Sequence, residues 1–212
     1  MRPRDLCIHL GFALLVTGIL IFFVHNIPMA VLYLLGHLVF AFWDLRKTAA
    51  AAGQKAALEK RYPDIPRTDS HFTVGGRTLT LTDEFVKKAL LDTILPADFS
   101  AKTEADKEAL GRYYSSVRAG RYMLRQHCIS QKELVLGNDS DHDYYVLCNG
   151  QRFQVTSRVY KACAPGDAVI EVSLQDVRLS PVLIWLDSKD GQHQVAWENK
   201  YYRLRLQKTC GS

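Results

Sequence analysis

The feature that most constrains this chain is a run without a formal charge, from Leu6 to Trp43. Thirty-eight residues pass without a Lys, Arg, Asp or Glu, and most of them are apolar. A helix needs about 20 apolar residues to cross the hydrocarbon core of a bilayer, which is about 30 Å thick. Because the run is too long for one crossing and long enough for two, it predicts a membrane-embedded N-terminus.

The run divides at the polar dipeptide His25-Asn26, and Pro28 follows shortly after it. Asn favours a turn, and Pro is tolerated in the first turn of a helix because its missing N–H is not needed there. We therefore expect a transmembrane helical hairpin over residues 1–46, with helices at about 6–25 and 27–43. A cleaved signal peptide is the competing interpretation, but its apolar core would be about 7–15 residues and small residues would follow it.

The basic residues around the run predict its orientation. Arg2 and Arg4 precede the first helix, Arg46 and Lys47 follow the second, and the turn between the helices contains no Lys or Arg. Positively charged flanks of membrane helices stay in the cytoplasm. Two crossings of the cell membrane would therefore leave both termini and the soluble part in the cytoplasm.

The cysteines leave an alternative open. Four of the five lie in the soluble part, namely Cys128, Cys148, Cys163 and Cys210. An even number would suit two disulfides in an exported domain on a membrane anchor. In the cytosol the same thiols would stay reduced. The charge distribution favours the cytoplasmic interpretation, and the redox state of the four cysteines stays open.

The rest of the chain predicts a helical stalk and linker over 47–66, followed by one soluble α+β domain over 67–212. Ala, Lys and Glu favour continuation of the second helix as far as residue 61, with Gly53 as a weak point. Pro63 and Pro66 would end it.

Local patterns predict the elements at the start of the soluble domain. Alternation around Gly75-Gly76 predicts a hairpin over 71–81. Thr82 is a typical cap for a helix over 85–95, and a second helix is expected over 103–126.

The β-rich part of the domain is expected over 128–212. Asn149-Gly150 is a strong hairpin signal between two strand-like segments. Short strands are expected at 133–136, 144–148, 151–155, 169–174, 182–186, 194–197 and 201–206, with a helical turn at 157–163. Short strands separated by frequent turns are typical of a small antiparallel β-barrel or sandwich.

Residues 144–186 resemble a known pattern. The segment YYVLCNGQRFQVTSRVYKACAPGDAVIEVSL, followed by SPVLIW, is similar to the small β-barrel modules of uncharacterised bacterial membrane proteins with an N-terminal transmembrane hairpin. Those modules combine a strand, Gly-x-x-Phe-x-Val, a Tyr-bearing turn, Gly-Asp and another strand. The matching residues here are Gly150, Phe153, Val155, Tyr160, Gly166 and Asp167. The family has no assigned activity, so the resemblance implies architecture only.

Two histidines are candidates for a site within the membrane, where polar residues are costly and mark function by default. In the hairpin, His9 and His37 would lie about 5 Å and about 9 Å inside the same membrane face, at 1.5 Å per helical residue. Such a pair could ligate haem or a metal, or relay protons. The alternative is that both are neutral and hydrogen-bonded to the backbone or to Tyr33, which requires no cofactor.

A basic and aromatic cluster is the candidate for binding partners or lipid headgroups. It comprises Arg112, Arg118, Arg121 and Arg125, interleaved with Tyr113, Tyr114 and Tyr122. Arginines of this kind can bind phosphates or lipid headgroups. A helix whose tyrosines pack inward and whose arginines face water explains the pattern as well.

The chain contains no nucleotide-binding loop, no nucleophile elbow and no dinucleotide fingerprint, so the sequence provides no positive argument for an enzyme. Its formal charge of +5 is mild and does not demand nucleic acid. His127, Cys128, Cys148, Cys163 and His193 lack the spacing of a metal site. We expect a membrane-anchored, non-catalytic module without a cofactor, whose soluble domain binds a protein partner or the membrane surface.

Overall fold

The computed structural model describes residues 11, 13–19, 21, 27–94, 103–136, 142–174, 177–178, 182–197 and 205–206. These residues form a mixed α+β protein whose sheets are antiparallel. The chain divides into two units, Met1–Ala57 and Leu58–Ser212.

The first unit contains the helical residues 13–19 and most of helix α1 (Ile27–Arg61), which has 35 residues. Pro28 lies in the first turn of α1, as predicted. The predicted membrane helix and stalk are one continuous helix, and Gly53 does not interrupt it. A single Gly costs a helix only about 1 kcal/mol, which the surrounding Ala, Lys and Glu residues offset.

Helix α1 is long and apolar enough to cross a membrane, and little of its apolar segment is buried. Leu32, Val39 and Phe42 are largely exposed. Ala13 and Ala30, by contrast, are fully buried within this unit. His9 and the turn predicted at 25–26 lie outside the described residues, as does most of the first predicted helix.

The second unit begins with the predicted hairpin, formed by β1 (Ser70–Val74) and β2 (Arg77–Leu81). Gly75 and Gly76 have φ values of 57° and 78° in the turn. Two successive positive φ values give a turn whose twist suits a two-residue hairpin, and Gly adopts them without strain.

Two helices follow the hairpin, and a threonine caps each of them; Thr82 was the predicted cap of the first. They are α2 (Asp83–Asp92) and α3 (Glu104–Arg118). Thr82 Oγ1 accepts a hydrogen bond from Phe85 N–H, and Thr103 Oγ1 accepts one from Asp106 N–H.

The central sheet has four strands in the order β10-β9-β7-β3. They are β3 (Tyr122–Cys128), β7 (Ala168–Leu174), β9 (Val182–Leu186) and β10 (His193–Trp197). All five residues of β9 are buried. A strand that is apolar throughout is expected where both faces of a sheet are covered.

A three-stranded sheet covers one face of the central sheet. It consists of β4 (Gln131–Leu136), β5 (His142–Cys148) and β6 (Gln151–Val155), and helix α4 (Ser157–Ala162) follows it. Val169 and Trp185 of the central sheet share one buried cluster with Val146 and Phe153 of the smaller sheet. The core on this side therefore lies between two sheets.

Helix α2 and the β1–β2 hairpin lie against the opposite face. Tyr122 donates its hydroxyl hydrogen to Asp83 of α2, the His193 ring contacts Phe85 edge-on, and Gln126 donates to Thr73 O. A short pair, β8 (Val177–Arg178) with β11 (Arg205–Leu206), completes the described strands. The second unit is thus layered as helices, sheet and sheet.

One sequence expectation needs correction. The helix predicted over 103–126 ends at Arg118, because Gly120 adopts φ of 67° and Tyr122–Cys128 is strand β3. Pairing of all seven β3 residues with β7 outweighs their local helical propensity. The prediction of a small barrel or sandwich is met in part: within the described residues the strands form four antiparallel sheets, and two of these sheets enclose a common core.

Candidate functional site

The segment after α1, residues 62–69, which we call the strap, is held to α3 by hydrogen bonds. Ile65 N–H donates to Arg118 O over 3.0 Å, and Arg118 Nε donates to Tyr62 O over 2.9 Å. A Cβ atom at Gly111 would lie 3.4 Å from Tyr62 Oη. A methyl group at position 111 would therefore make an ordinary van der Waals contact with the strap.

A buried ammonium group joins the strap to helix α2. Lys87 is only 5% exposed. Its Nζ lies 2.7 Å from Asp83 Oδ2, 2.9 Å from Asp64 Oδ1 and 2.6 Å from Ile65 O. Burial alone would lower the pKa of Lys87, but the two carboxylates outweigh burial and hold the pKa above its ordinary value.

Asp83 is the second member of this ion network. Its carboxylate accepts hydrogen bonds from Arg67 N–H and the Tyr122 hydroxyl in addition to Lys87. Burial would raise the pKa of Asp83, yet these donors outweigh it and hold the pKa below its ordinary value. Burial and the neighbouring Asp83 carboxylate raise the pKa of Tyr122. The network is saturated internally and fixes the strap to α2 and β3.

The tyrosines of the predicted basic and aromatic cluster are structural. Tyr113, Tyr114 and Tyr122 are all buried. Tyr113 Oη donates to Leu90 O over 2.7 Å, and Tyr114 Oη donates to Glu59 Oε1 over 3.2 Å. Burial and Glu59 raise the pKa of Tyr114 to about 12. None of these rings is presented to a ligand.

The arginines of that cluster are not brought together on one surface. Arg112 pairs with Glu108 on α3, and Arg118 is directed to the strap. Arg121 reaches Ser115 Oγ at 3.3 Å, while Arg125 is exposed on β3 opposite Glu171. The prediction assumed one helix through residue 126, and the change to a strand after Gly120 separates Arg125 from the others.

His37, the described member of the predicted histidine pair, contacts Tyr33, with ring centroids 4.5 Å apart. The two rings line an open groove of about 290 Å³ together with Leu32, Gly36 and Phe40. An approach of His37 to His9 stays a prediction, because His9 lies outside the described residues.

The three cysteines that the structure describes are free thiols. Cys128 is exposed, whereas Cys148 and Cys163 are buried in the core between the sheets. Burial raises the pKa of Cys148 to about 11. A thiol with a raised pKa and no access to water is a poor nucleophile, so Cys148 serves as a small core residue.

Asp167, one of the residues of the Gly-Asp pattern, is a buried carboxylate with four donors. It accepts hydrogen bonds from Trp185 Nε1, Ala164 N–H, Ser188 N–H and Ser188 Oγ over 2.6–3.0 Å. Burial would raise the pKa of Asp167, but these donors hold it below its ordinary value. Asp167 thereby ties the start of β7 to β9 and the turn after it.

The sequence interpretation missed one exposed apolar surface, on strand β4. Leu134, Val135 and Leu136 are 42%, 37% and 69% exposed. In the order β4-β5-β6 this strand is at the end, and among the described residues it pairs only with β5. We call residues 131–136 the β4 edge. One sequence feature could have indicated this surface, namely three successive apolar residues directly before a stretch that contains two aspartates.

An exposed apolar strand at the end of a sheet can bind another extended chain. Its backbone N–H and C=O groups on the outer side form a template for pairing, and proteins usually protect such edges. Comparisons of the chain with protein-family models, curated proteins and solved structures found no match. The β4 edge is therefore interpreted from its own chemistry, and it is the best candidate for a binding surface in the second unit.

Proposed function

We propose that this chain is a membrane-anchored, non-catalytic module whose cytoplasmic α+β domain binds a protein partner. The observation that carries the proposal is helix α1, which is long and apolar enough to cross a membrane and leads directly into the strap of a folded domain. Exposed residues such as Leu32, Val39 and Phe42 are costly in water and suited to lipid.

Two features support the hairpin and the cytoplasmic side. Ala13 and Ala30 are fully buried. Two membrane helices that pack closely at small residues would bury them in this way. Basic residues flank the charge-free run at both ends, with Arg2 and Arg4 before it and Arg46 and Lys47 after it. The resemblance to modules with a membrane hairpin agrees with this arrangement.

The non-catalytic part of the proposal rests on how the buried ionisable groups are used. Asp83, Lys87 and Asp167 have shifted pKa values, which in many proteins mark active sites. Each of them is engaged by several internal partners. A catalytic acid or base must reach a substrate atom within hydrogen-bond distance, and groups bound inside the fold do not.

Alkaline carbonate extraction of cell membranes tests the anchor. We expect the full chain to stay in the membrane pellet, because transmembrane helices resist extraction. A variant with Val39→Lys and Leu32→Lys should be released or degraded, because a charge at the centre of a membrane helix costs about 3 kcal/mol each on insertion scales. Release of the unmodified chain by carbonate would contradict the proposal.

A histidine-dependent redox or metal protein is the second candidate function, and the groove beside His37 and Tyr33 favours it. The visible spectrum and metal content of the purified full chain distinguish the two. A Soret band or stoichiometric metal that is lost in His37→Ala would overturn the non-catalytic proposal. A colourless, metal-free protein purified from cells supplied with haem and metals would support it.

A further inference from the structure

We infer that the β4 edge binds an extended segment of the partner protein by strand addition, and that this segment alternates apolar and basic residues. The inference rests on the proposed function and specifies its binding surface. In strand addition the backbone of the added segment supplies hydrogen bonds, and the alternate side chains supply specificity.

The inner face of the β4 edge continues the core surface of the small sheet. Directly opposite residues on paired strands have their side chains on the same face. Lys132 is opposite the buried Val146, so Leu134 and Leu136, two and four residues further on, share that face. Their exposure leaves an apolar surface beyond the end of the core, which an apolar side chain on an added strand would cover.

Lys132 does not make this surface basic. Its Nζ donates to Tyr160 O over 2.7 Å and to Cys163 O over 3.0 Å, and it lies over the Tyr160 ring. The ammonium group is therefore directed toward α4 rather than toward an incoming strand.

The outer face of the same edge is acidic. Val135 is opposite the exposed Asp143, and Glu133 lies on the same face. Glu133 is neutralised by Arg152 at 3.0 Å, while Asp143 accepts only a neutral hydrogen bond, from Gln154. Lysines or arginines on the outer face of an added strand would complement this charge.

The same charge distinguishes the partner from other occupants. Anionic lipid would be repelled by Asp143 next to the apolar residues, so a bilayer surface fits less well than a basic peptide. A second copy would place its own β4 beside this one and offer Glu133 and Val135, not the basic residues that the outer face favours. Both occupants are outcomes of the test below.

Fluorescence anisotropy with two matched peptides tests the inference on the full chain in nanodiscs of phosphatidylcholine, a zwitterionic lipid. One labelled peptide alternates Lys and Val over eight residues, and the other has Glu in place of each Lys. We expect the Lys peptide to bind at least about tenfold more tightly, with salt weakening its binding. Hydrogen exchange at residues 131–136 should slow when it binds, because the outer backbone groups of β4 become paired.

Four variants locate the binding. Leu136→Ser and Leu134→Ser, which remove apolar contact without adding a charge, should each weaken binding of the Lys peptide about tenfold, whereas Met123→Ser, at an exposed apolar residue on β3, should leave it unchanged. Asp143→Lys should reduce the preference for Lys over Glu. Two β4 variants are used so that a folding defect in one, seen as an altered circular dichroism spectrum, leaves the other to decide.

Three results would overturn the inference. They are equal binding of the two peptides, binding that Leu136→Ser and Leu134→Ser leave intact, and a dimer of the chain that both variants abolish. Binding of the Lys peptide to empty nanodiscs alone would also overturn it, in favour of a lipid surface. Carbonate extraction is independent of these measurements, so failure of the strand-addition inference would be distinguishable from failure of the anchor.

Discussion

At the scale of single residues, the ionisable groups in the interior act as structural cross-links. Asp167 illustrates the principle, because one carboxylate satisfies donors from Ala164, Trp185 and Ser188. Hydrogen bonds to a charged acceptor contribute about 1.5–3 kcal/mol each, and leaving a buried donor without a partner has a comparable cost.

Asp167→Asn should therefore destabilise the protein by about 2–4 kcal/mol, because an amide accepts fewer of these hydrogen bonds and has no charge. Unfolding by urea of the full chain in detergent, followed by tryptophan fluorescence, measures the change. Asp190→Asn, at an exposed residue in the neighbouring turn, is the matched control and should change stability by less than about 0.5 kcal/mol. A similar loss in both variants would contradict the role of Asp167.

The lowered pKa of Asp167 also predicts a pH dependence. A carboxylate whose pKa is lower in the folded than in the unfolded state stabilises the fold above the unfolded value of about 3.9, and this stabilisation is lost as pH falls through the folded value. Unfolding free energies measured between pH 7 and pH 2.5 should therefore fall less steeply with acid in Asp167→Asn than in the unmodified chain. Parallel pH profiles would contradict the linkage.

The sequence predicts a residue's conformation where that conformation depends only on the residue and its neighbours in the chain. The Asn149-Gly150 turn follows from two residues that tolerate positive φ, and the structure has them at 52° and 79°. Two contacts of the ion network were not predictable from local patterns. Lys87 and Asp64 are 23 positions apart in the chain, and Tyr122 and Asp83 are 39 positions apart. Only the fold brings them together.

At the scale of elements, the strap is fixed by ions rather than by apolar contact. Lys87 neutralises Asp83 and Asp64 at once. Removing one partner of a buried ion pair leaves an uncompensated charge, which typically costs 3–5 kcal/mol. The attachment of the strap to α2 should therefore weaken without this ammonium group, and the hydrogen bond from Arg67 N–H to Asp83 should remain.

Lys87→Met should destabilise the second unit by about 3 kcal/mol and speed hydrogen exchange at residues 62–69. Lys88→Met is the matched control, since Lys88 is the next residue and forms an exposed pair with Asp92 at 2.6 Å. Its effect should stay below about 0.5 kcal/mol because exposed pairs contribute little. Equal exchange rates in the strap of both variants would contradict its attachment through Lys87.

The transition from α3 to β3 depends on Gly120. At φ of 67° a residue with a Cβ atom is strained, and a Cβ there would lie 3.3 Å from Arg67 Cβ. Gly120→Ala should destabilise the protein by about 1–2 kcal/mol, measured by urea unfolding. Gly111 has ordinary helical backbone angles, and a Cβ atom there would have one contact at 3.4 Å, so Gly111→Ala should destabilise the protein less than Gly120→Ala does. A larger loss of stability in Gly111→Ala would contradict this explanation.

Element prediction from the sequence failed at this same junction for a physical reason. Helical spacing continues through Tyr122, Arg125 and Gln126, and only the positive φ of Gly120 and pairing with β7 end the helix. The β7 partners lie 40 to 52 residues further along the chain, from Cys128 with Ala168 to Tyr122 with Leu174. No local pattern specifies contacts of that range.

At the scale of the whole molecule, the predicted topology can be tested with the described thiols. Cys128 is exposed and free, whereas Cys148 and Cys163 are buried. If the domain is cytoplasmic, an impermeant maleimide should label Cys128 only after cell lysis. Cys128→Ser is the control that removes this signal. Labelling of Cys128 in intact cells would contradict the cytoplasmic side and favour the exported alternative.

The long apolar N-terminal helix and the α+β composition were predictable from the sequence because both depend on short-range patterns. The charge-free run predicts an apolar helix whatever its surroundings are, and α1 is such a helix. The layering of sheets and helices was not predictable, since it depends on which face of β7 meets Val146 and Phe153. The β4 edge was missed because exposure is a property of the assembled fold.

The exposed β4 edge also has a consequence for the chain when it is made in excess. Leu134 to Leu136 form a short apolar strand with an open side, the kind of segment that recruits further copies into aggregates. Glu133 before it and the aspartates at 139 and 141 after it are placed as gatekeeper residues, whose charges oppose stacking. We expect the overproduced chain to depend on these few charges for its solubility.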